Sequence, residues 1–390
     1  MEGEFHMITW TPTVKDYNAK LRRLEQNADF AKNDDNVWFR GITDPWVPQY
    51  SMDDFNAHFQ RDNGGAFAPT SEIMSKVKNR PNSEADQAAY RWRDRMGSEG
   101  IDLSHGVTTT KVYTDGDPKL PITVYTPQMS DPDEELGAIV AYHGGGWIGG
   151  NVLVNQNFCR YMAEQAHMRV FNVDFRLAPE YPAMAGFDDC YAALNWIVDN
   201  AGDLHVDLNT VAVYGDSAGG TTAAAVAYQD RKDGHNYVTH QFMAYPCLTL
   251  DHDVAEKIDW PASKYHFNSV TKERYDNDQL FVGKGMDTLR QVYVGSQNVD
   301  DPRISPIEIP DDIMAKMPQA LIAIDEFDPL RPQGYLYAKN LAKAGVNSHS
   351  MCYYGMSHAF LDKFGIFAQG QHFADTAATW LHQGLTGQTK

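Results

Sequence analysis

The run Gly215-Asp216-Ser217-Ala218-Gly219 sets one serine between glycines. It follows the apolar stretch Val211–Tyr214, "VAVY", and precedes a string of small residues, "GGTTAAAV". A strand that turns sharply into a helix holds the residue at its tip in strained dihedrals. Strand and helix then come so close that only small flanking residues fit. A serine there stands over a helix N-terminus, whose free N–H groups and positive dipole end favour developing negative charge. This is the chemistry of a hydroxyl nucleophile. The competing readings are a glycine-rich turn with an incidental serine, or a phosphate-binding loop. The GxxxxGK-S/T pattern and its lysine are absent, which weakens the second.

Another stretch, "AYHGGGWIGGN", follows the apolar run "GAIVAY". Three successive glycines, Gly144 to Gly146, leave backbone N–H groups free to point into a cavity. Acyl transfer needs such donors for the oxyanion of its tetrahedral intermediate. His143 reads as a hydrogen-bonding strut for this loop rather than a base. Trp147 reads equally as a pocket wall or a packed aromatic. Further on, "IDEFDPLRPQG" offers three carboxylates, Asp325, Glu326 and Asp328, any of which could orient a histidine. His358 in "YYGMSHAFLDKF" follows the last strand-like run. The order serine, acid, histidine separates this set from the chymotrypsin-like and subtilisin-like orders.

The elements that must position these residues alternate from Val107 onward. Strand-like runs are "VTTTKVY" and "ITVYTP", forming an early hairpin, then "GAIVAYH", "RVFNVDF", "VAVYGD", "QFMAYP", "ALIAID" and "SHSMCYY". Several are continuously apolar, as central strands covered on both faces are. Helix-like segments fall between them: "NFCRYMAEQA", "GFDDCYAALNWIVDNAG", "GYLYAKNLAKAG" and the closing "HFADTAATWLHQGL". The pattern predicts a mostly parallel sheet of about eight strands flanked by helices. Residues 1–105 lack this rhythm and read as a mainly helical cap, with helix-like pieces at "KDYNAKLRRLEQNADF" and "NSEADQAAYRWRDRMG". The second piece opens with Ser83 and Asp86 at capping-box spacing. The catalytic domain is expected over 106–390. Residues 250–306 are too long for a simple connection and are expected to add to the cap.

Composition excludes some classes. The 390 residues carry 33 Lys and Arg against 52 Asp and Glu, a net charge of −19. Such acidity argues against nucleic acid and against anionic membrane surfaces. No basic-then-apolar leader and no apolar run near membrane-spanning length appears. Cys159, Cys190, Cys247 and Cys352 are scattered, so free thiols in a cytoplasm are expected. The 14 histidines show no metal-ligand spacing.

Taken together, "HGGGW", "FRLAPEYPA", "GDSAGG", "DDPRISP", "DPLRPQG" and "SHAF" resemble, in their order, the hormone-sensitive-lipase-like branch of the α/β-hydrolases, the bacterial carboxylesterases of family IV. The resemblance runs from about Val107 to the C-terminus. It implies an α/β-hydrolase fold and a serine carboxylesterase for short to medium acyl esters. By position it implies Ser217 as nucleophile, His358 as general base and Asp328 as orienting acid. The oxyanion donors would be the amides of Gly144, Gly145 and Ala218, with Trp147 and Asp216 toward the substrate pocket. Arg176–Glu180 would brace the loops near the active site, and Asp189 would tie down a helix start. No metal or organic cofactor is called for, and the partner is a small ester, the protein being monomer or homodimer.

The chain departs from the family's pattern at Ala359, where glycine is usual, and in its longer N-terminal region. Other readings on the same residues are an amide or aryl-ester hydrolase, the latter suggested by Trp38, Phe39, Trp46 and Phe59. A non-catalytic small-molecule receptor on a hydrolase scaffold would need a broken triad, and here all three residues stand in place. An interfacial lipase would need an apolar lid, and the cap sequence is polar.

Overall fold

The computed structural model describes residues 14–43, 100–128, 131, 133–178, 180–181, 183–267, 271–272, 275–276, 279 and 286–383. Among the described residues, ten strands form one sheet: β1 (Ala31–Lys32), β2 (Trp38–Ile42), β3 (Val107–Tyr113), β4 (Pro121–Pro127), β5 (Leu136–Tyr142), β6 (Arg169–Val173), β7 (Val206–Asp216), β8 (His240–Ala244), β9 (Gln319–Asp325) and β10 (Ser348–Tyr353). Their order is β1-β2-β10-β9-β8-β7-β5-β6-β4-β3. From β2 through β6 every neighbouring pair is parallel. The β3–β4 hairpin and its junction with β6 are antiparallel.

Strand β7 shows why its sequence lacks polar alternation. Ala212 and Tyr214 enter the apolar cluster on one face, Val211 and Val213 the cluster on the other, and all four are buried. Each such burial contributes on the order of 1.5–3 kcal/mol for a Val-sized side chain or larger. Helices cover both faces. The first cluster takes residues of α1 (Val14–Glu25), α2 (Gln156–Gln165) and, further along the chain, Ala368–Gln383. The other takes residues of α3 (Ala185–Asp199), α4 (Ala218–Lys232) and Arg331–Lys343. In chain order the remaining helices used below are α5 (His252–Ile258), α6 (Arg331–Lys343) and α7 (Ala368–Gln383).

The sheet is wider than the strand-like runs suggested. Residues 31–42 lie in the stretch read as a cap, yet β2 pairs in parallel with β10, Trp38 opposite His349 and Ile42 opposite Tyr353. β1 folds back on β2 to close the edge. The cause is tertiary: a short segment finds an open strand far along the chain, and pairing overrides its weak local signal. Trp38 and Phe39 therefore belong to the sheet. Trp46, Phe59 and the second helix-like piece, with Ser83 and Asp86, lie outside the described residues. All four cysteines are free and buried. Among the described residues no helix is long and apolar enough to cross a membrane.

Candidate active site

Parallel strands β5, β7, β8, β9 and β10 all end on one edge of the sheet, where ligands gather in open α/β folds. The stretches singled out above leave from these ends. β7 runs through Asp216, and Ser217 follows at φ 52°, ψ −119°, immediately before α4. A non-glycine residue at such positive φ is strained, and surrounding bonds must impose it. They do so on both sides. Ser217 N–H donates to the Ala244 carbonyl at 2.9 Å, and the Ser217 carbonyl accepts from Gly220 N–H at 3.0 Å and Cys247 N–H at 3.3 Å. The small flanking residues are sterically required. A Cβ on Gly219 would lie 2.0 Å from the Tyr142 carbonyl oxygen.

Ser217, His358 and Asp328 come together. Ser217 Oγ lies 2.9 Å from His358 Nε2, and His358 Nδ1 lies 2.8 Å from Asp328 Oδ2. Next to a carboxylate, Nδ1 carries the proton and donates, leaving Nε2 to accept from the serine hydroxyl. The other carboxylate oxygen, Oδ1, accepts from Leu330 N–H at 2.8 Å. Asp328 is fully buried and His358 nearly so. Tyr245, at the end of β8, sets its ring edge-on to the imidazole at 5.0 Å. Of the three carboxylates in "IDEFDPL", Asp328 is hydrogen-bonded to His358 Nδ1. Such a line of groups can take a proton from a serine hydroxyl and return it to a leaving group.

The glycine loop after β5 folds over the elbow. Gly145 sits at φ +125°, and a Cβ there would lie 2.2 Å from the Gly149 carbonyl oxygen. Among the described residues, the amides of Gly145 and Ala218 meet no acceptor. The Gly144 amide is occupied: it donates to Asp216 Oδ1 at 3.2 Å. His143 Nδ1–H donates to the Gly144 carbonyl at 2.7 Å, and its ring stacks on Phe175 at 4.4 Å. Burial lowers the His143 pKa, so the ring stays neutral as a strut.

Asp216 is buried behind the elbow, held on the Gly144 amide. Burial raises its pKa to about 7, partly offset by the Gly144 N–H and His358. Trp147 is buried and stacked on Tyr293 at 4.6 Å, in an apolar cluster that also holds Ala218, Leu250, Leu289 and Leu330. A cavity of about 230 Å³ lies beside Pro329 and Leu250, with Asp251, Met286 and Gln333 among its lining. Neither Asp216 nor Trp147 lines it. Arg176 and Asp189 form a two-pronged pair, Nη2 to Oδ1 at 2.6 Å and Nε to Oδ2 at 2.9 Å, and Asp189 also accepts from the Arg176 amide. Tyr245 was not singled out from sequence; "QFMAYP" carries no local sign that the ring would meet a histidine over a hundred residues later.

A serine elbow at the carboxyl edge of a mostly parallel sheet, with acid and histidine delivered by the next strand ends, defines an α/β-hydrolase. The family described as alpha/beta hydrolase fold matches residues 139–362, and the chain belongs to it, in its hormone-sensitive-lipase-like branch. The chain is 33% identical to an arylesterase of Saccharolobus solfataricus over 63% of its own length and 74% of that protein. It is 30% identical to an ethyl acetate hydrolase of Pseudomonas putida over 71% of its length and 83% of that protein. Among solved structures, an esterase of Pyrobaculum calidifontis superposes with a TM-score of 0.60 at 27% identity, covering 86% of this chain and 95% of that one.

Proposed function

We propose that the protein is a serine carboxylic ester hydrolase working on short to medium acyl esters through an acyl-enzyme. The observation that carries this is the hydrogen-bonded line from Ser217 through His358 to Asp328. Family membership and relatives named as esterases support it.

In this reading the substrate carbonyl oxygen lies on the amides of Gly145 and Ala218, with Gly144 adjacent and anchored by Asp216. His358 takes the Ser217 proton as the hydroxyl attacks the carbonyl carbon. Asp328 holds the imidazole tautomer and stabilises its cationic form. The tetrahedral intermediate collapses, His358 protonates the departing alcohol, and the acyl group stays on Ser217. Water, deprotonated by His358, then releases the acid. The α4 N-terminus and the two amides favour the oxyanion twice over, and each donor is worth on the order of 100- to 1,000-fold in kcat. The apolar cluster around Trp147, which includes Ala218, would wall the acyl side of the substrate.

An aryl ester is the second reading, favoured by the stacked Trp147–Tyr293 pair in the cluster that includes Ala218. The proposal extends to a cytoplasmic protein, monomeric or homodimeric; four free buried thiols are in keeping with a reducing compartment. A panel of chromogenic esters varying acyl length and alcohol size tests the reading. Ser217→Ala should abolish turnover, and an organophosphate should modify Ser217 alone. A Ser217→Ala protein that turns over esters at the wild-type rate would refute it.

A further inference from the structure

Glu326 is a buried carboxylate, two residues before Asp328, that the mechanism above does not use. Its two oxygens are divided between two other parts of the chain. Oε2 accepts from Gly355 N–H at 2.8 Å, in the loop that leads to His358. Oε1 lies 2.7 Å from Nδ1 of His266, in the segment 250–306. Backbone bonds run beside them. Glu326 N–H donates to the Tyr353 carbonyl at 3.1 Å, and Phe327 N–H to the Met356 carbonyl at 2.9 Å. The loop carrying Asp328 and the loop carrying His358 are thus zipped together, with the Glu326 carboxylate at the seam.

His266 does not act alone. The neighbouring Phe267 ring stacks on Phe327 at 5.6 Å. The Arg331 guanidinium sits over Trp260 at 4.7 Å and over Tyr265 at 5.6 Å, while its Nη1–H donates to the Glu326 carbonyl at 3.3 Å. Residues 260–267 therefore grip the acid loop at three successive points: Glu326, Phe327 and Arg331. Most of the His266 side chain is exposed, whereas Glu326 is almost entirely enclosed. An exposed ring reaching in to a buried carboxylate is an economical coupling, because charge-assisted bonds to buried groups are strong.

We infer that Glu326 is a positioning residue for the histidine–acid pair, and that His266 couples the docking of residues 260–267 to that geometry. The inference rests on the esterase reading for its kinetic test and on geometry alone for its structural one. With His266 seated, Glu326 keeps Oε2 aimed at the Gly355 amide, and the His358 loop stays in register with Asp328. With the His266 imidazole removed, Oε1 is left with the long bond from the His266 backbone N–H at 3.4 Å, so Glu326 can turn, the Gly355 amide loses its acceptor, and the His358 imidazole shifts against the serine. Displacements of about 1 Å at a reacting group cost on the order of 100-fold in rate.

The experiment compares His266→Ala, His266→Gln and Glu326→Ala in the full chain, with p-nitrophenyl acetate as substrate. Glu326→Ala should lower kcat about 100-fold and His266→Ala about 10-fold, each with KM changed by less than about twofold. His266→Gln, which still presents an N–H to Oε1, should recover most of the loss. Amide hydrogen exchange over residues 353–360 should quicken in both alanine variants and stay near wild type in the glutamine variant. Unchanged kcat and unchanged exchange in His266→Ala would overturn the coupling, as would equal damage from alanine and glutamine. An increase in KM alone would also overturn it, since that reports lost binding rather than lost alignment. Should the wild-type protein cleave no ester, the esterase reading falls, and the exchange measurement still decides whether His266 and Glu326 hold the loop.

Discussion

The Gly144 amide donates to Asp216 Oδ1 at 3.2 Å, so the residue preceding the nucleophile fastens the glycine loop that covers it. The fit is close: a Cβ on Gly144 would lie 2.3 Å from Asp216 Oδ2. One of the three amides named from sequence as oxyanion donors is therefore spent on structure. The carboxylate that accepts it sits in a buried place with a pKa of about 7, against 3.8 when free.

This makes Asp216 a measurable term in stability. A carboxyl whose folded pKa is raised binds its proton more tightly when folded. Its contribution is fully present below about pH 4 and is lost as the pH climbs to about 7. Three units at about 1.4 kcal/mol each sum to roughly 4 kcal/mol. Asp216→Asn keeps an oxygen for the Gly144 amide and removes the titration. Unfolding free energies measured from pH 4 to 7 should therefore rise for the variant relative to wild type. Parallel curves would show that Asp216 is not protonated in the folded protein.

His372 tilts stability the other way. Burial first, and Arg40 second, lower its pKa from 6.5 to about 3, with Tyr353 Oη at 3.0 Å from Nδ1. The unfolded chain gains a proton below pH 6.5 that the folded chain refuses, so stability is lost as the pH falls from about 6.5 toward 3. The slope is about 1.4 kcal/mol per pH unit inside that window. His372→Gln should remove that rise, so that between pH 4 and 6 the unfolding free energy of the variant falls relative to wild type as the pH climbs, the Asp216 contribution being left unopposed. Because Asp216 and His372 oppose each other there, the wild-type curve should be flatter than that of Asp216→Asn. A His372→Gln curve parallel to wild type from pH 4 to 6 would remove this account.

Asp328→Asn tests the tautomer argument. An asparagine can present its amide N–H to Nδ1, which moves the imidazole proton to Nε2 and leaves no acceptor for the serine hydroxyl. Ester turnover should fall by about 10⁴ in kcat while the melting temperature moves little. Retention of a tenth or more of the wild-type kcat would mean that Asp328 does not hold the tautomer.

Ala359 follows the histidine at φ 66°, ψ 30°, in the left-handed region that glycine adopts without cost. An alanine there bears about 1–2 kcal/mol of strain, whereas glycine would loosen the unfolded chain by about 0.4–1 kcal/mol. The first effect is the larger. Ala359→Gly should stabilise the protein by up to about 1 kcal/mol, read as a higher urea midpoint with an unchanged slope. A lower midpoint would mean the surroundings of the Ala359 methyl outweigh the backbone.

Much of this architecture was legible because its signals are local. Val211–Tyr214 is apolar on both faces because both faces are covered, and the glycines around Ser217 are dictated by a turn a few residues long. Two kinds of feature escaped. One lies at element ends: α6 begins at Arg331, ahead of Pro332, whereas the helical pattern was read from Gly334. Proline suits a first turn, where its missing N–H has no partner to lose. The same holds for β7, whose polar start at Val206–Thr210 carries no apolar rhythm. The other kind is long-range. The segment Trp38–Ile42 contains Arg40 and Gly41, and its partner lies at the far end of the chain. Glu326 stood among the acid candidates, yet nothing near it in sequence announces His266.

The pairing of β2 with β10 also sets an order of events. Trp38 and His349 are separated by more than three hundred residues, so on a ribosome the early strand emerges long before its mate exists. Until β10 arrives, β1 and β2 make a two-stranded ribbon too small to stand alone in water. This flank of the sheet can close only after most of the polypeptide has been made, and non-local closures of that sort are slow and prone to mispairing. Truncating residues before 44 would leave β10 as a bare, fully formed edge, inviting a second polypeptide to take the vacant place.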